Sequence, residues 1–244
     1  MLTLKKIKSV ISSLTPLVSG NKFEHILLET PTDADRAAIS GGMAFKDYKS
    51  PHILIPYISD GKHSLLDIGY RTEEFCVELT KLGIGTCYIG ELGREDILIS
   101  HFGLPAGARI GSVLFFGYPT ENFLGKVVDN SIRSLIGSKK RIPLDELCVG
   151  CLPESFSEIL EVAQVAPSAK NVQPWRFKEG DGKLQILSPK TNPGYSNQEY
   201  KYFDVGICMS NISMLLREKG VTHSWKVNDG VWDEEMEIIA ELIL

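Results

Sequence analysis

Ala166-Pro167-Ser168-Ala169-Lys170-Asn171-Val172-Gln173-Pro174-Trp175-Arg176-Phe177 lies between an apolar helix pattern and a hairpin pattern. Pro167 fixes its own φ and pushes Ala166 out of the helical region, so a helix entering this stretch stops there. Ser168, Asn171 and Gln173 then present donors and acceptors at a helix-to-strand junction, where hydrogen bonds can read a planar polar ligand. The same residue types also make an ordinary loop with capping residues. Pro174 cannot donate a ladder hydrogen bond and belongs at a strand's first residue or edge.

Working outward, residues 155–166 form the helix that enters the stretch. Ser155 and Glu158 have capping-box spacing, and Phe156, Ile159, Leu160, Ala163 and Ala166 make its core stripe. Beyond it, Trp175 to Lys178 and Lys183 to Leu187 flank Asp181-Gly182, a hairpin signal. Nearer the N-terminus, Leu4, Ile7, Val10, Ile11 and Leu14 predict a helix over residues 3–15. Phe23 to Glu29 and His52 to Ser59 read as strands. The segment between them, with Gly41-Gly42, reads as loop or short helix. From Asp67 to Leu82, Ile68, Phe75, Cys76, Leu79 and Leu82 mark a buried face, with Glu73, Glu74 and Glu78 expected outside and Gly83 as the stop. Arg94 to Phe102 predicts a helix ended by Gly103. Ile110 to Tyr118 predicts a strand buried on both faces.

Composition narrows the class. The 244 residues are 43% hydrophobic and 23% charged, enough for a sizeable core in one or two domains. A net charge of -5 argues against a general nucleic-acid binder, which needs a basic face. No apolar run reaches membrane-spanning length, and the start lacks a signal-peptide core, so a cytoplasmic protein with reduced thiols and no membrane partner is expected. Cys148-Val149-Gly150-Cys151 has the spacing of a redox pair or half a zinc site. No second such pair or paired histidines complete it, so no metal is expected. The plain reading is two small residues in a linker.

Residues 166–177 resemble the A-P-S-[AS]-x-N-x-Q-P-W-x-[FI] signature of the FMN-dependent nitroreductase family, and every fixed position is filled. Gly83 to Tyr88 resembles the family's G-[LI]-G-[TS]-C-[WY] element, Gly117-Tyr118-Pro119 its G-Y-P, and Lys139 to Leu147 its [KR]-x-R-x-P-L-x-E-[LV], in the family's order. The resemblance implies an α+β fold with mostly antiparallel sheets flanked by helices, FMN as cofactor, and NADH or NADPH as hydride donor. A nitroaromatic, quinone or similar small molecule would be the acceptor. It implies that Lys139 and Arg141 hold the FMN phosphate, that Pro167, Ser168, Ala169 and Asn171 face the ring system, and that Gly85 and Thr86 supply backbone contacts near it. No single side chain is expected to be catalytic. One departure concerns the family's opening R-R-S-x-R stretch. The first helix pattern here begins almost at Met1 without it, so either the start lies further upstream or part of the flavin grip is gone. That departure supports an alternative, a non-catalytic flavin-binding or degenerate relative in storage, sensing or partner binding.

Asp67-Ile68-Gly69 and Asp204-Val205-Gly206 head two similar helices. Leu79 and Leu216, Gly83 and Gly220, and Tyr88 and Trp225 keep the same offset without a gap. This reads as a duplication: residues 1–148 form a first half with the glycine loop and phosphate-binding cations, and 149–244 a second half with the Pro-Ser-Ala-Lys-Asn loop. Family members are usually intertwined dimers, so two tandem halves would form a pseudo-dimer within a chain able to act as a monomer. Thr222 stands where the first half has Gly85, and one FMN per chain is expected.

Overall fold

The computed structural model describes residues 4–40, 49–119, 140–231 and 233–244. The chain divides into two compact units, Met1–Thr120 and Glu121–Leu244. No helix among the described residues is long and apolar enough to cross a membrane.

The first unit runs α1 (Leu4–Ser13), β1 (Phe23–Leu28), α2 (Asp33–Ser40), β2 (His52–Ile58), α3 (Ser64–Lys81), β3 (Gly85–Gly90), α4 (Glu95–Phe102) and β4 (Ser112–Gly117). Its strands form an antiparallel sheet in the order β1-β2-β4-β3. Alternation along each strand sends side chains to two cores. Leu54, Leu114 and Phe116 join Ile7 and Ile11 of α1 and Phe75, Cys76 and Leu79 of α3. Ile53, Ile55, Val113 and Phe115 join Ile39 of α2 and Leu98 of α4. Both faces of β4 are thus covered, which is why its sequence is continuously apolar.

α3 departs from its expected amphipathic pattern. Glu73 and Glu74, expected outside, are buried. The segment after α1 crosses this face, and Thr15 donates to Glu74 from its amide (2.8 Å) and its hydroxyl (3.2 Å). The Tyr88 hydroxyl donates to Glu73 Oε2 at 2.8 Å. Paired carboxylates tolerate burial that unpaired ones do not. Glu78 instead meets Lys81 at the surface. α3 ends at Gly83 in the left-handed region, with the Ile84 amide donating to Leu79 O and the Gly83 amide to Thr80 O.

The second unit contains a single turn, α5 (Leu144–Leu147), then α6 (Ser157–Val165), β5 (Arg176–Gly180), β6 (Lys183–Pro189), α7 (Tyr200–Glu218), β7 (Ser224–Val231) and β8 (Met236–Ile243). Its sheet order is β5-β6-β8-β7, the order of the first unit repeated, with α7 placed between second and third strands as α3 is. α7 closes as α3 does: the Val221 amide donates to Leu216 O and the Gly220 amide to Arg217 O. Two sheets of one topology fit the expected tandem halves. Asp181 and Gly182 both have positive φ, the requirement of a two-residue hairpin turn. The Ser155–Glu158 capping box does not form. A 3-10 turn over Glu154–Phe156 delays the helix to Ser157, and the Glu158 carboxylate pairs with Lys219 instead.

Candidate functional site

The loop from Ala166 to Pro174 is held in an unusual backbone shape. Ala166 is extended before Pro167, as the proline dictates (φ -55°, ψ 137°). Lys170, Asn171 and Gln173 then adopt left-handed φ values of 51°, 57° and 51°. Each costs a non-glycine residue about 1 kcal/mol or more, so surrounding bonds must hold the loop.

Those bonds are numerous. Arg141 Nη1 donates to Ala166 O (3.3 Å) and Asn171 Oδ1 (2.8 Å), and Nη2 to Val165 O (3.1 Å). A cation there satisfies the last carbonyls of α6 and complements its dipole. Asn171 Nδ2 and Gln173 Nε2 both donate to Lys140 O, at 2.6 and 3.2 Å. Gln173 Oε1 accepts from the Ile142 amide at 3.0 Å, and Ser168 Oγ accepts from the Gln173 amide at 2.9 Å. From beneath, the Ala169 amide donates to Asp204 Oδ2 at 2.9 Å, and the Tyr195 hydroxyl donates to the same oxygen at 2.6 Å.

The sequence reading assigned Ser168, Asn171 and Gln173 to a ligand. The structure spends much of their capacity inside the loop. Gln173 is buried and fastens residues 140–142 to it. Among the described residues Ser168 Oγ acts as an acceptor, which leaves its hydroxyl proton available to donate. Arg141 uses three of the five N–H donors of a guanidinium, leaving its Nε–H and one Nη2–H. Pro167 and Ala169 are half-buried in the same loop. Arg141, Pro167, Ser168, Ala169 and Asn171 are therefore brought together. Arg141, assigned by sequence to the first half, makes its hydrogen bonds to this loop of the second. Lys139 lies outside the described residues.

Gly85 and Thr86 belong to the first unit, at the start of β3, which among the described residues pairs with β4 at one edge of its sheet. Gly85 has no positive φ, and an added Cβ would meet Gly117 O and a Pro119 carbon at an ordinary 3.7 Å. Its own strand therefore does not demand a glycine.

Four residues were missed as parts of the site. Asp204 enters the sequence reading only as the head of a repeated helix, and Tyr195, Gln164 and Arg176 are not singled out there. Gln164 donates to Ile142 O (2.9 Å), and Arg176 to Gln173 O and Trp175 O (3.2 and 2.7 Å). The only advance signal was that Asp204 and Asp67 share a register. Burial lowers the guanidinium pKa of Arg141 and of Arg176 from an ordinary value so high that both remain charged. Burial pushes Asp204 up to about 7, against the opposing pull of its bonds from Tyr195 and the Ala169 amide.

Exposed Lys140 and Lys170 join Arg141 and Arg176 on or beside one pre-shaped loop, in a chain of net charge -5. That donor set suits an anionic group attached to a flat polar one, so the residues fit a flavin mononucleotide. Among the described residues no group of His, Cys, Asp or Glu is arranged to hold a metal. Cys148 is half-buried, its thiol pushed up by burial, and Cys151 is exposed.

A family model described as "Putative TM nitroreductase" matches residues 2–215. Among solved structures, a nitroreductase of Thermotoga maritima aligns over 100% of this chain and 85% of its own, at 21% identity and a TM-score of 0.59. An FMN-dependent nitroreductase of Clostridium difficile aligns over 49% of this chain and 76% of its own, at 14% identity and a TM-score of 0.43. An NADPH:FMN oxidoreductase of Vibrio harveyi, complexed with NAD+, covers 50% of this chain and 62% of its own, at 15% identity and a TM-score of 0.41. No curated protein sequence matches the chain.

Proposed function

The chain belongs to the family described as Putative TM nitroreductase, and from that premise we propose that it is an FMN-dependent NAD(P)H oxidoreductase acting on a nitroaromatic, quinone or similar small molecule. The observation that supports this reading is the pre-shaped 166–174 loop with its cations, which would suit a flat, phosphate-bearing group. Bound FMN would supply the redox chemistry, taking a hydride from the nicotinamide and passing it to the acceptor. The chain's own residues bind and orient. Arg141 offers its two remaining N–H donors and its charge to the phosphate, with Lys139 as its partner. Ser168 would donate its hydroxyl proton to the flavin, and Pro167, Ala169 and Asn171 would help hold its ring system. The family resemblance would also give Gly85 and Thr86 main-chain contacts to the flavin. The strain at Lys170, Asn171 and Gln173 is met in folding, so binding need not order the loop.

The test is direct. Purified protein should be yellow, bleach on addition of NADPH or NADH under exclusion of oxygen, and regain colour when a nitroaromatic or quinone is added. One donor and one acceptor using the same face in turn predict ping-pong kinetics. Colour that does not bleach favours the non-catalytic flavin carrier. Colourless protein that cannot be reconstituted with FMN overturns the flavin reading.

A further inference from the structure

We propose that Asp204 is a positioning residue for the 166–174 loop and a proton-operated latch on it, a role that rests on reading this loop as the flavin-binding segment. The argument comes from two aspartates at equivalent places in the two units. Each heads the long helix between second and third strands, each is buried, and each takes a main-chain amide from the loop that precedes the first strand. Asp67 Oδ1 receives the Leu17 amide at 2.9 Å, and Asp204 Oδ2 receives that of Ala169 at 2.9 Å.

Their surroundings differ in one respect. Asp67 is paired in a fork with Arg71, whose Nε and Nη2 each lie 3.0 Å from a different carboxylate oxygen, and Asn21 Nδ2 adds a further donor. A two-pronged, charge-assisted pair of this kind holds the Asp67 side chain in place. At the matching place in α7 the chain has Cys208 instead of an arginine. No Lys, Arg or His pairs with Asp204 among the described residues. Lys201, one turn earlier, is turned to Lys190 O and to Glu237. The titratable group facing Asp204 is Tyr195, from the segment before α7, whose own pKa is raised by burial and by Asp204. Both of these donors to Asp204 converge on Oδ2.

A buried carboxyl without a cation favours its protonated form while the loop covers it. Its elevated value of about 7 agrees with that geometry. Opening the loop hydrates the carboxyl and lets it ionise at an ordinary pKa. The covered state therefore binds the proton more tightly, and rising pH favours opening. The loop is fully latched below about pH 4, loosens as pH rises from there, and has lost this hold above about pH 7, while the Leu17 segment lies over an aspartate that is paired with Arg71.

Amide hydrogen exchange on the full chain, without added ligand, tests this. Protection of the Ala169 amide, corrected for intrinsic exchange, should fall between about pH 4 and pH 7 by up to about tenfold per pH unit and level off above that. Protection of Leu17 in the same sample should stay level. Asp204→Asn should flatten the Ala169 response. Tyr195→Phe, which removes a bond favouring the ionised form, should move its midpoint to higher pH. Riboflavin lacks the phosphate that titrates in this range, and its affinity should fall along the Ala169 curve in the wild type but not in Asp204→Asn. Level Ala169 protection in the wild type, or an unchanged slope in Asp204→Asn, overturns the latch. A responding Ala169 amide in a protein that binds neither riboflavin nor FMN upholds the latch and defeats the flavin reading. Flavin binding with a level Ala169 amide does the reverse.

Discussion

Arg141 carries two tasks that a single substitution separates poorly. Its guanidinium satisfies the end of α6 and fixes Asn171, and among the described residues two of its donors are not used in those bonds. Arg141→Ala is expected to cost about 1–3 kcal/mol of stability, because the carbonyls lose a charged donor, and also to weaken FMN retention. Arg141→Lys keeps the charge without the fork. It should recover part of the FMN affinity and little of the stability, as urea melts and flavin titration would show. Unchanged FMN affinity in both variants would remove Arg141 from the site. Lys170 offers a second check at this scale. It is exposed with φ 51°, so Lys170→Gly should leave stability within about 0.5 kcal/mol. Lys170→Val, β-branched in a left-handed position, should cost more than about 1 kcal/mol.

At the scale of elements, α3 shows where periodicity misleads. Counting charges placed Glu73 and Glu74 on the outer face, yet Thr15 and Tyr88 from distant elements bury both by pairing with them. Glu74→Ala should therefore cost about 1–3 kcal/mol in a denaturant melt, since the Thr15 amide loses its acceptor, whereas Glu78→Ala should be near neutral. The strands were more legible. β2 and β4 alternate between two cores, and the Asp181-Gly182 hairpin formed where turn chemistry placed it, because such signals depend on a few adjacent residues. The failed Ser155–Glu158 box is the opposite case: spacing alone cannot show that Glu158 has Lys219 as a competing partner.

Across the whole molecule, two buried carboxyls point stability the same way with pH. Burial raises Glu91 to about 8, despite an opposing Arg94 at 3.7 Å; neither of its oxygens has a hydrogen-bond donor. A carboxyl raised on folding keeps a proton that the unfolded chain has already lost. The stability it contributes is complete at low pH and is lost as pH rises through the folded value. With Asp204 near 7 and both carboxyls at about 4 in the unfolded chain, the chain should lose stability between about pH 4 and pH 8. Glu91→Gln should remove part of that loss in urea titrations at the two pH values. A pH-independent wild type would refute the assignment of both groups. The tandem halves add a stoichiometric prediction. One half carries the glycine loop and the other the Pro167–Asn171 loop, so reconstitution should saturate at one FMN per chain, and two would refute the complementary reading.

Residues 166–177 determined by themselves that a helix stops at Pro167, that a polar loop follows, and that a hairpin leads away from it, because proline geometry, turn chemistry and side-chain alternation act between near neighbours. The match of Asp67 with Asp204 was equally present in the bare order of residues. Only the tertiary structure decided that Gln173 is a fastener inside the loop, that Arg141 grips Asn171, and that one of two matched aspartates has an arginine while the other has a tyrosine and an amide. The partner of a buried polar group is whatever the fold brings within about 3 Å of it, and that distance bears no relation to separation along the chain.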